Sequence, residues 1–343
     1  MLALGCGARS GLRVDERNPD GSVGSLDADV GEELEDAAPD ATSDGEVRVV
    51  VEATCADEPQ VLAEGWESAY GVTANDTHVY WTTTDGEILR TPICGGPTDV
   101  VAQEQSRPLL VGLDERWVYW TSHVGLWRAP LLAGGAESVW QTEGPTEGLA
   151  VDHGEVFFTV VGGTGRGLWR LDTASGFAER VYSGHVGRPV ALDADHVFFG
   201  ADDQLWRIAR EGGPRDVAAP DLVAPDTGYL SGALTVDEDF VYWSSWHGPG
   251  GDVDNVFRAP KDGGLPEVLA RGERGPVVGV QVSRTHIYWT SQWDGAVRVR
   301  PIHGGDVTTL ATNQDTVESL FLSEAVLFWV NFGDGNLWRL PTP

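Results

Sequence analysis

Acidic, histidine and tryptophan side chains recur in the short polar segments that separate apolar runs in this 343-residue chain. The candidates are Asp85, His123, Asp203, Trp246, His247, Asp252, Asp254, Trp293, Asp294 and Asp334. Carboxylate oxygens are the ligands that a hard cation such as Ca²⁺ prefers, and an indole offers a flat surface to a ligand. Asp is also a common turn residue, so each position taken alone fits a solvated turn. The set as a whole predicts a ligand-binding group, without a catalytic residue among its members.

The motifs of several well-known catalytic sites do not occur in the sequence. There is no Gly-x-Ser-x-Gly elbow, no His-Glu-x-x-His and no phosphate-binding Gly-Lys-Ser/Thr. The glycine-rich run at residues 162–167 lies between two strand patterns instead of opening a helix, which indicates a hairpin loop.

An aromatic tripeptide recurs seven times, at intervals of about 40 residues, and places the candidate loops in equivalent positions. The copies are Val79-Tyr80-Trp81, Val118-Tyr119-Trp120, Val156-Phe157-Phe158, Val197-Phe198-Phe199, Val241-Tyr242-Trp243, Ile287-Tyr288-Trp289 and Leu327-Phe328-Trp329. In most copies a second apolar run ending in Arg follows, and then a Gly-Gly turn. Such runs between Gly-rich turns predict strands, and four strands in about 40 residues are typical of a propeller blade.

The sequence therefore predicts an all-β fold, a seven-bladed β-propeller of four-stranded antiparallel blades. We name the strands of each blade A to D. In the first blade they are expected near Tyr70–Ala74, His78–Thr82, Glu87–Thr91 and Thr98–Ala102. The repeated Trp and Phe are expected to pack between blades, and the repeated Arg to pair with Asp114, Asp152, Asp193 and Asp237 in turns.

The two ends of the repeat region predict how the ring closes. The last repeat stops after its third strand, whereas residues 60–65 resemble D strands such as residues 267–272. The N-terminal strand is therefore expected to complete the last blade beside residues 337–340, which removes an open sheet edge. In a four-stranded meander the A–B and C–D turns share one face, and this brings Cys55 and Cys94 together. We predict a disulfide between them; two unpaired thiols are the alternative.

The repeat units resemble the YWTD repeats of low-density-lipoprotein-receptor propellers and their bacterial relatives. Three segments match the first three letters of that motif: Tyr80-Trp81-Thr82, Tyr119-Trp120-Thr121 and Tyr288-Trp289-Thr290. The fourth letter, Asp, is replaced by Thr83, Ser122 and Ser291, and the receptor domains have six blades. The resemblance covers about residues 59–343 and implies an extracytoplasmic binding scaffold.

The first residues, Leu2-Ala3-Leu4-Gly5-Cys6, resemble the lipobox at which bacterial lipoprotein signals are cut and the cysteine is acylated. Residues 7–52 contain 13 Asp and Glu against four Arg and almost no aromatic residue, which is typical of an unfolded chain. We therefore expect three parts: a lipobox remnant at 1–6, an acidic tether at 7–52 and the propeller at 53–343. Gly7 after Cys6 favours the outer membrane, with the domain facing the periplasm or the exterior.

Charge narrows the choice of partner. The net charge of −30 repels phosphate backbones and anionic headgroups, so nucleic acid is excluded and a membrane contact is expected only through the lipid. We expect a monomeric, non-enzymatic binding or scaffolding propeller for a protein or carbohydrate ligand, with no cofactor unless the loop acids hold Ca²⁺. The alternative is a lactonase- or lyase-like propeller enzyme with a carboxylate-held divalent metal in the central channel.

Overall fold

The computed structural model describes residue 55 and residues 57–132, 134–202, 204–212, 216–217, 232–245 and 253–342. These residues form strands, turns and loops without any helix, and so they contain no helix of the length and apolarity needed to cross a membrane. The strands build seven antiparallel sheets of four strands each. The predicted seven-bladed β-propeller is confirmed.

The strands follow one another as A to D in each blade. Blade 1 contains β2 (Ala69–Ala74), β3 (His78–Thr83), β4 (Ile88–Pro92) and β5 (Asp99–Ala102). Blade 2 contains β6 (Val111–Leu113), β7 (Trp117–Ser122), β8 (Gly125–Pro130) and β9 (Glu137–Gln141). Blade 3 contains β10 (Thr146–Asp152), β11 (Glu155–Val160), β12 (Gly167–Asp172) and β13 (Ala178–Tyr182). Blade 4 contains β14 (Val186–Leu192), β15 (His196–Ala201), β16 (Gln204–Ala209) and β17 (Asp216–Val217).

The remaining blades follow the same order, except that the outer strand of the last blade comes from the N-terminal part of the propeller. Blade 5 contains β18 (Leu234–Val236), β19 (Phe240–Ser245), β20 (Val253–Pro260) and β21 (Glu267–Arg274). Blade 6 contains β22 (Val280–Val282), β23 (His286–Ser291), β24 (Ala296–Pro301) and β25 (Thr308–Ala311). Blade 7 contains β26 (Val317–Ser323), β27 (Val326–Asn331) and β28 (Leu337–Pro341), and its outer strand is β1 (Gln60–Ala63).

Strand β1 closes the ring as the sequence predicts. It lies antiparallel to β28, with Gln60 opposite Arg339 and Val61 opposite Trp338. Cys55, just before this strand, forms a disulfide with Cys94 in the C–D turn of blade 1, and the two Cα atoms are 4.6 Å apart. The predicted closing strand and the predicted disulfide are both confirmed.

The core lies between neighbouring blades and is built mainly by the B strands. The Trp, Tyr and Phe of the repeated tripeptide are fully or almost fully buried. Tyr80 and Ile88 of blade 1, for example, belong to one apolar cluster with Val118 and Trp120 of blade 2. Flat aromatic rings fill the wedge between twisted sheets, as expected from the sequence.

In blades 1 and 5, the hydroxyl that follows the aromatic pair links the blade to the next one. In blade 1 the Thr82 hydroxyl accepts from the Gly71 amide at 2.9 Å and donates to the Leu109 carbonyl of blade 2 at 2.5 Å. In blade 5 Ser244 plays the same part toward Val277 of blade 6 at 2.7 Å. A Cβ atom at Gly71 would lie only 2.5 Å from the Leu109 oxygen, so glycine is required for this close approach.

The repeated Arg side chains belong to the scaffold, but their partners differ from the prediction. Arg90 pairs with Asp99 at 3.0 Å and Arg258 with Glu267 at 2.7 Å, because these residues lie directly opposite in neighbouring C and D strands. The expected turn acids bind other groups: Asp114 accepts from the Tyr119 hydroxyl, Asp152 pairs with Arg210, Asp193 with Lys261, and Asp237 accepts from the Tyr242 hydroxyl.

The two faces of the ring carry different connections. We call the side with the B–C turns and D–A loops the loop face, and the side with the A–B and C–D turns the turn face. On the loop face the B–C turns bond to the D–A loops beside them, as in the contact from the Gln105 amide to the Gly86 carbonyl at 3.0 Å. Each A strand begins at the loop face and ends at the turn face.

Candidate functional site

The A strands of the seven blades surround a central channel. One apolar residue in each A strand lies opposite the buried aromatic residue of its B strand. These residues are Val72, Val111, Leu149, Val190, Leu234, Val280 and Leu320. Toward the turn face the channel widens into a cavity of about 960 Å³, and at the loop face it narrows to one of about 200 Å³.

Two residues before this apolar level, the A strands carry a second set of equivalent positions that we call the mouth ring. It consists of Tyr70, Leu109, Glu147, Arg188, Gly232, Val278 and Glu318. Four members are small, apolar or aromatic, and three carry a charge. Tyr70, Arg188 and Glu318 line the narrow cavity together with the apolar residues below them.

Arg188 is the cation of the mouth ring. Its guanidinium carbon lies 5.2 Å from the centre of the Tyr70 ring, at cation–π distance. Its Nε atom is 3.7 Å from Glu147, which is an ion-pair contact but too long for a hydrogen bond. Within the described part of the chain, no group accepts a hydrogen bond from Arg188. Its five N–H donors are therefore available to a ligand.

Glu318 lies three blades away from Arg188 and lines the same cavity. The Gln292 side-chain amide donates a hydrogen bond to its Oε2 atom at 2.8 Å. Burial raises the pKa of Glu318 to about 7, although the positive charge of Arg188 and the Gln292 bond both act to lower it. The Glu318 carboxyl group therefore changes charge near neutral pH, and it forms no ion pair with Arg188.

Glu147 is the third charged member of the mouth ring. Burial raises its pKa, and the nearby charges of His123 and Arg107 partly offset that effect. The His123 Nε2 atom lies 3.1 Å from an Arg107 guanidinium nitrogen. His123, a residue that the sequence proposed, thus sits on the loop face at the edge of the mouth ring.

The other described candidates occupy the loop face, outside the narrow cavity. Asp85 is exposed in the B–C turn of blade 1, and the Trp293 side chain is 61% exposed in the B–C turn of blade 6. Asp294 pairs with Arg298 at 2.8 Å. These loops share one face as expected, but the structure does not bring these side chains together at one point.

Two further candidates have structural contacts of their own. Asp334 accepts from the Asn336 amide at 3.0 Å, which stabilises the B–C turn of blade 7. Asp254 is buried and its Oδ2 atom accepts from the Val277 amide at 2.9 Å. Asp203, Trp246, His247 and Asp252 lie outside the described residues.

A metal centre of the kind that the enzyme alternative requires is not formed by the described residues. No three His, Cys, Asp or Glu side chains among them are grouped so that they could hold a metal ion. The three charged groups of the mouth ring come from blades 3, 4 and 7: Glu147 is in ion-pair contact with Arg188, and Glu318 forms no ion pair with Arg188. This arrangement is suited to contacting several parts of one ligand.

Sequence reasoning missed the mouth ring because its members share no residue type. A signal was nevertheless present in the A strands. When the repeats are aligned on the aromatic tripeptide, the position two residues before the apolar level is Tyr70 in blade 1 but Glu147, Arg188 and Glu318 in blades 3, 4 and 7. Charge at a position that is apolar or small in sister blades marks a departure from the scaffold.

The fold and channel define the class of protein as a seven-bladed β-propeller. No family model matches the chain, and no curated protein matches it at a significant level. Among solved structures, virginiamycin B lyase from Staphylococcus aureus is similar, with 13% identity and a TM-score of 0.65, covering 83% of this chain and 99% of that one. The computationally designed protein Ika8 has 16% identity and a TM-score of 0.56, covering 79% and 83%.

A nidogen/laminin complex also matches, with 17% identity and a TM-score of 0.47, covering 74% of this chain and 85% of that one. The identities to virginiamycin B lyase and Ika8 are low, so these two matches show a shared fold and no shared activity.

Proposed function

We propose that this chain is a non-enzymatic, ligand-binding propeller that receives its ligand at the mouth ring on the loop face. The observation that carries the proposal is the pair of charged side chains in the channel wall, Arg188 and Glu318, with Glu147 in ion-pair contact with Arg188. Charged groups that are partly removed from water cost free energy unless they are paired. No contact within or between blades uses Arg188 as a hydrogen-bond donor among the described residues, so a ligand is the natural partner.

The composition of the mouth ring favours binding over metal-assisted catalysis. Leu109, Gly232 and Val278 are apolar or small, and the two charged residues that line the channel, Arg188 and Glu318, lie on separate blades. Binding pockets typically combine apolar walls with a few polar groups that fix the orientation of a ligand. The loop residues around the mouth, His123 and Trp293 among them, extend this surface for a larger protein or carbohydrate ligand.

We also propose that the propeller is held at a bacterial cell envelope by a lipid on Cys6, with residues 7–52 as an acidic tether. Like charges extend such a segment and keep the domain away from the membrane surface. The Cys55–Cys94 disulfide supports an oxidising compartment, because disulfides persist mainly outside the cytoplasm. Gly7 supports the outer membrane, with the domain facing the periplasm or the exterior.

Ligand binding is tested by a thermal-shift screen of small metabolites, peptides and oligosaccharides against the full chain. A compound that binds only the native state must raise the melting temperature. We expect at least one compound to stabilise the wild-type protein and Arg284→Gln, an exposed change on the turn face, but to lose its effect with Arg188→Met. A screen without hits, or hits that are indifferent to Arg188, would contradict the proposal.

Envelope attachment is tested by expressing the chain behind a lipoprotein signal in a bacterial host, with Cys6→Ser as the matched variant. We expect the wild-type chain to incorporate labelled palmitate and to fractionate with the outer membrane. The Cys6→Ser chain should be unlabelled and leave the membrane fraction. Equal labelling or equal fractionation of the two chains would refute the lipid anchor.

A further inference from the structure

Resting on the proposed function, the chemistry of the mouth ring also indicates a class of ligand. Arg188 offers a planar fork of donors, and such a fork matches the two oxygens of a carboxylate. Glu318 lines the same cavity; its Oε2 atom is bonded to Gln292 at 2.8 Å, and no hydrogen bond from a described residue reaches its Oε1 atom. The narrow end of the channel is therefore lined by a guanidinium that donates no hydrogen bond to the described residues and by a carboxyl group with one oxygen left for a ligand.

We propose that the mouth cavity binds a compact zwitterion, a molecule with one carboxylate and one ammonium group, the class to which free amino acids belong. The ligand carboxylate contacts Arg188, and its ammonium group contacts Glu318. The N–H groups of Arg188 then gain hydrogen-bond acceptors, which Glu147 at 3.7 Å does not supply, and Glu318 gains a cation in direct contact.

The walls and the size of the cavity fit such a molecule. Val111, Leu149 and Leu320 form its apolar floor and suit an aliphatic or small apolar side chain. Its volume of about 200 Å³ suits a small molecule. The wider cavity below leaves room for a longer side chain.

Electrostatics favour a zwitterion over an ion of one sign. The chain has a net charge of −30, so a simple anion is repelled as it approaches. A simple cation is attracted to the molecule, but at the mouth it meets the like charge of Arg188 and offers no acceptor to the N–H groups of that side chain. A zwitterion has no net charge, and its two charged groups can contact Arg188 and Glu318 at the same time. Burial raises the pKa of Glu318 more than the charge of Arg188 lowers it, so an ammonium group in direct contact would favour the charged carboxylate.

The experiment uses isothermal titration calorimetry of the full chain with the standard amino acids as probes. We expect at least one to bind with a Kd below about 10 mM at pH 7.5. For the tightest probe, the matched analogue without its amino group and the analogue without its carboxylate should each bind at least tenfold more weakly. The analogue without an amino group makes no ion pair with Glu318, and the analogue without a carboxylate makes none with Arg188.

Variants locate the site in the same experiment. Arg188→Met and Glu318→Gln should each weaken the tightest probe at least tenfold, whereas Arg284→Gln on the turn face should leave its Kd unchanged. Circular dichroism and melting temperature establish that each variant is folded. If Arg188→Met does not fold, Glu318→Gln and the two analogues still decide the question.

Failure of this inference is distinguishable from failure of the proposed function. If no amino acid binds, or if an analogue lacking one charged group binds as tightly as its parent, the zwitterion is wrong. The binding proposal then stands as long as another compound in the thermal-shift screen depends on Arg188. If no compound depends on Arg188, both are wrong.

Discussion

Single side chains decide whether an A-strand position serves the scaffold or the mouth ring. Glu318 illustrates the second case, because burial raises its pKa to about 7 in the folded protein. An acid whose pKa is higher in the folded state than in the unfolded state favours folding only while it is protonated. That contribution is complete below the unfolded value near pH 4 to 5 and is lost as the pH rises through about 7.

Glu318→Gln is therefore expected to stabilise the protein at alkaline pH. Gln cannot ionise, so the variant avoids the cost of a buried negative charge, about 1–3 kcal/mol at pH 8.5. The difference should disappear near pH 4.5, where the wild-type carboxyl is neutral. Urea denaturation of both proteins at several pH values measures this. Glu324→Gln, an exposed change on the turn face, is the control. A stability difference that does not vary with pH would contradict the assignment.

Thr82 illustrates a residue that serves the scaffold. Its hydroxyl joins the Gly71 amide to the Leu109 carbonyl of the next blade. Thr82→Val keeps the shape but leaves two buried backbone groups unpaired, and we expect a loss of about 1–3 kcal/mol in the free energy of unfolding. Thr308→Val, at an exposed position of a D strand, should change it by less than about 0.5 kcal/mol. Equal effects in denaturant titrations would show that the hydroxyl is not a link between blades.

At the scale of strands and turns, neighbouring blades are joined by ion pairs as well as by aromatic rings. Lys261, after the C strand of blade 5, pairs with Asp193 in the A–B turn of blade 4 at 2.8 Å. Arg210 of blade 4 pairs in the same way with Asp152 of blade 3 at 2.7 Å. Both pairs connect equivalent positions of adjacent blades.

Lys261→Met should destabilise the contact between blades 4 and 5 by about 1–3 kcal/mol at pH 7, because Asp193 is largely buried and loses its partner. Burial alone would raise the pKa of Asp193, but the bonds from Lys261 and from backbone amides outweigh it and lower the pKa. That stabilisation is present above the unfolded value near 4 and is lost as the pH falls through the lower folded value.

Unfolding titrations at pH 7 and pH 2.5 measure this effect. The difference between wild type and Lys261→Met should shrink at pH 2.5. Asp262→Asn is the matched control: its pairing with Arg207 is solvent-exposed on the Asp side, so its removal should cost less than about 0.5 kcal/mol. Equal losses from the two variants at pH 7 would argue against a special role for the Lys261 pair.

The strands were predictable from sequence because each blade repeats the same alternation of apolar and turn residues. In blade 1, each strand begins and ends within one residue of the expected position. The partners of the repeated Arg were not predictable by the same means. Their choice depends on the register of C and D strands, which places Arg90 opposite Asp99, and the tripeptide pattern does not fix that register.

At the scale of the whole molecule, the ring depends on its closure. Strand β1 completes blade 7, and the Cys55–Cys94 disulfide fastens the same segment to blade 1. These two features were predictable because a ring of repeats leaves one incomplete blade and two chain ends that must meet. The mouth ring was not predictable from the sequence, because its residues come from seven separate blades and become neighbours only when the ring closes.

Reduction of the disulfide should lower the free energy of unfolding by about 2–4 kcal/mol, since the bond closes a loop across 39 residues. Guanidinium titrations with and without a reducing agent measure the loss. A Cys55→Ala/Cys94→Ala protein should match the reduced wild type and be indifferent to the reducing agent. If the reducing agent leaves the stability of the wild type unchanged, the Cys55–Cys94 disulfide does not stabilise the closed ring.

The most direct measurement is a crystal structure of the propeller in complex with the compound that raises its melting temperature most. The ligand is expected in the narrow end of the channel, within hydrogen-bond distance of the Arg188 guanidinium and beside Glu318. A ligand seated on the turn face, or at the outer edge of the blades, would contradict a binding site at the mouth ring.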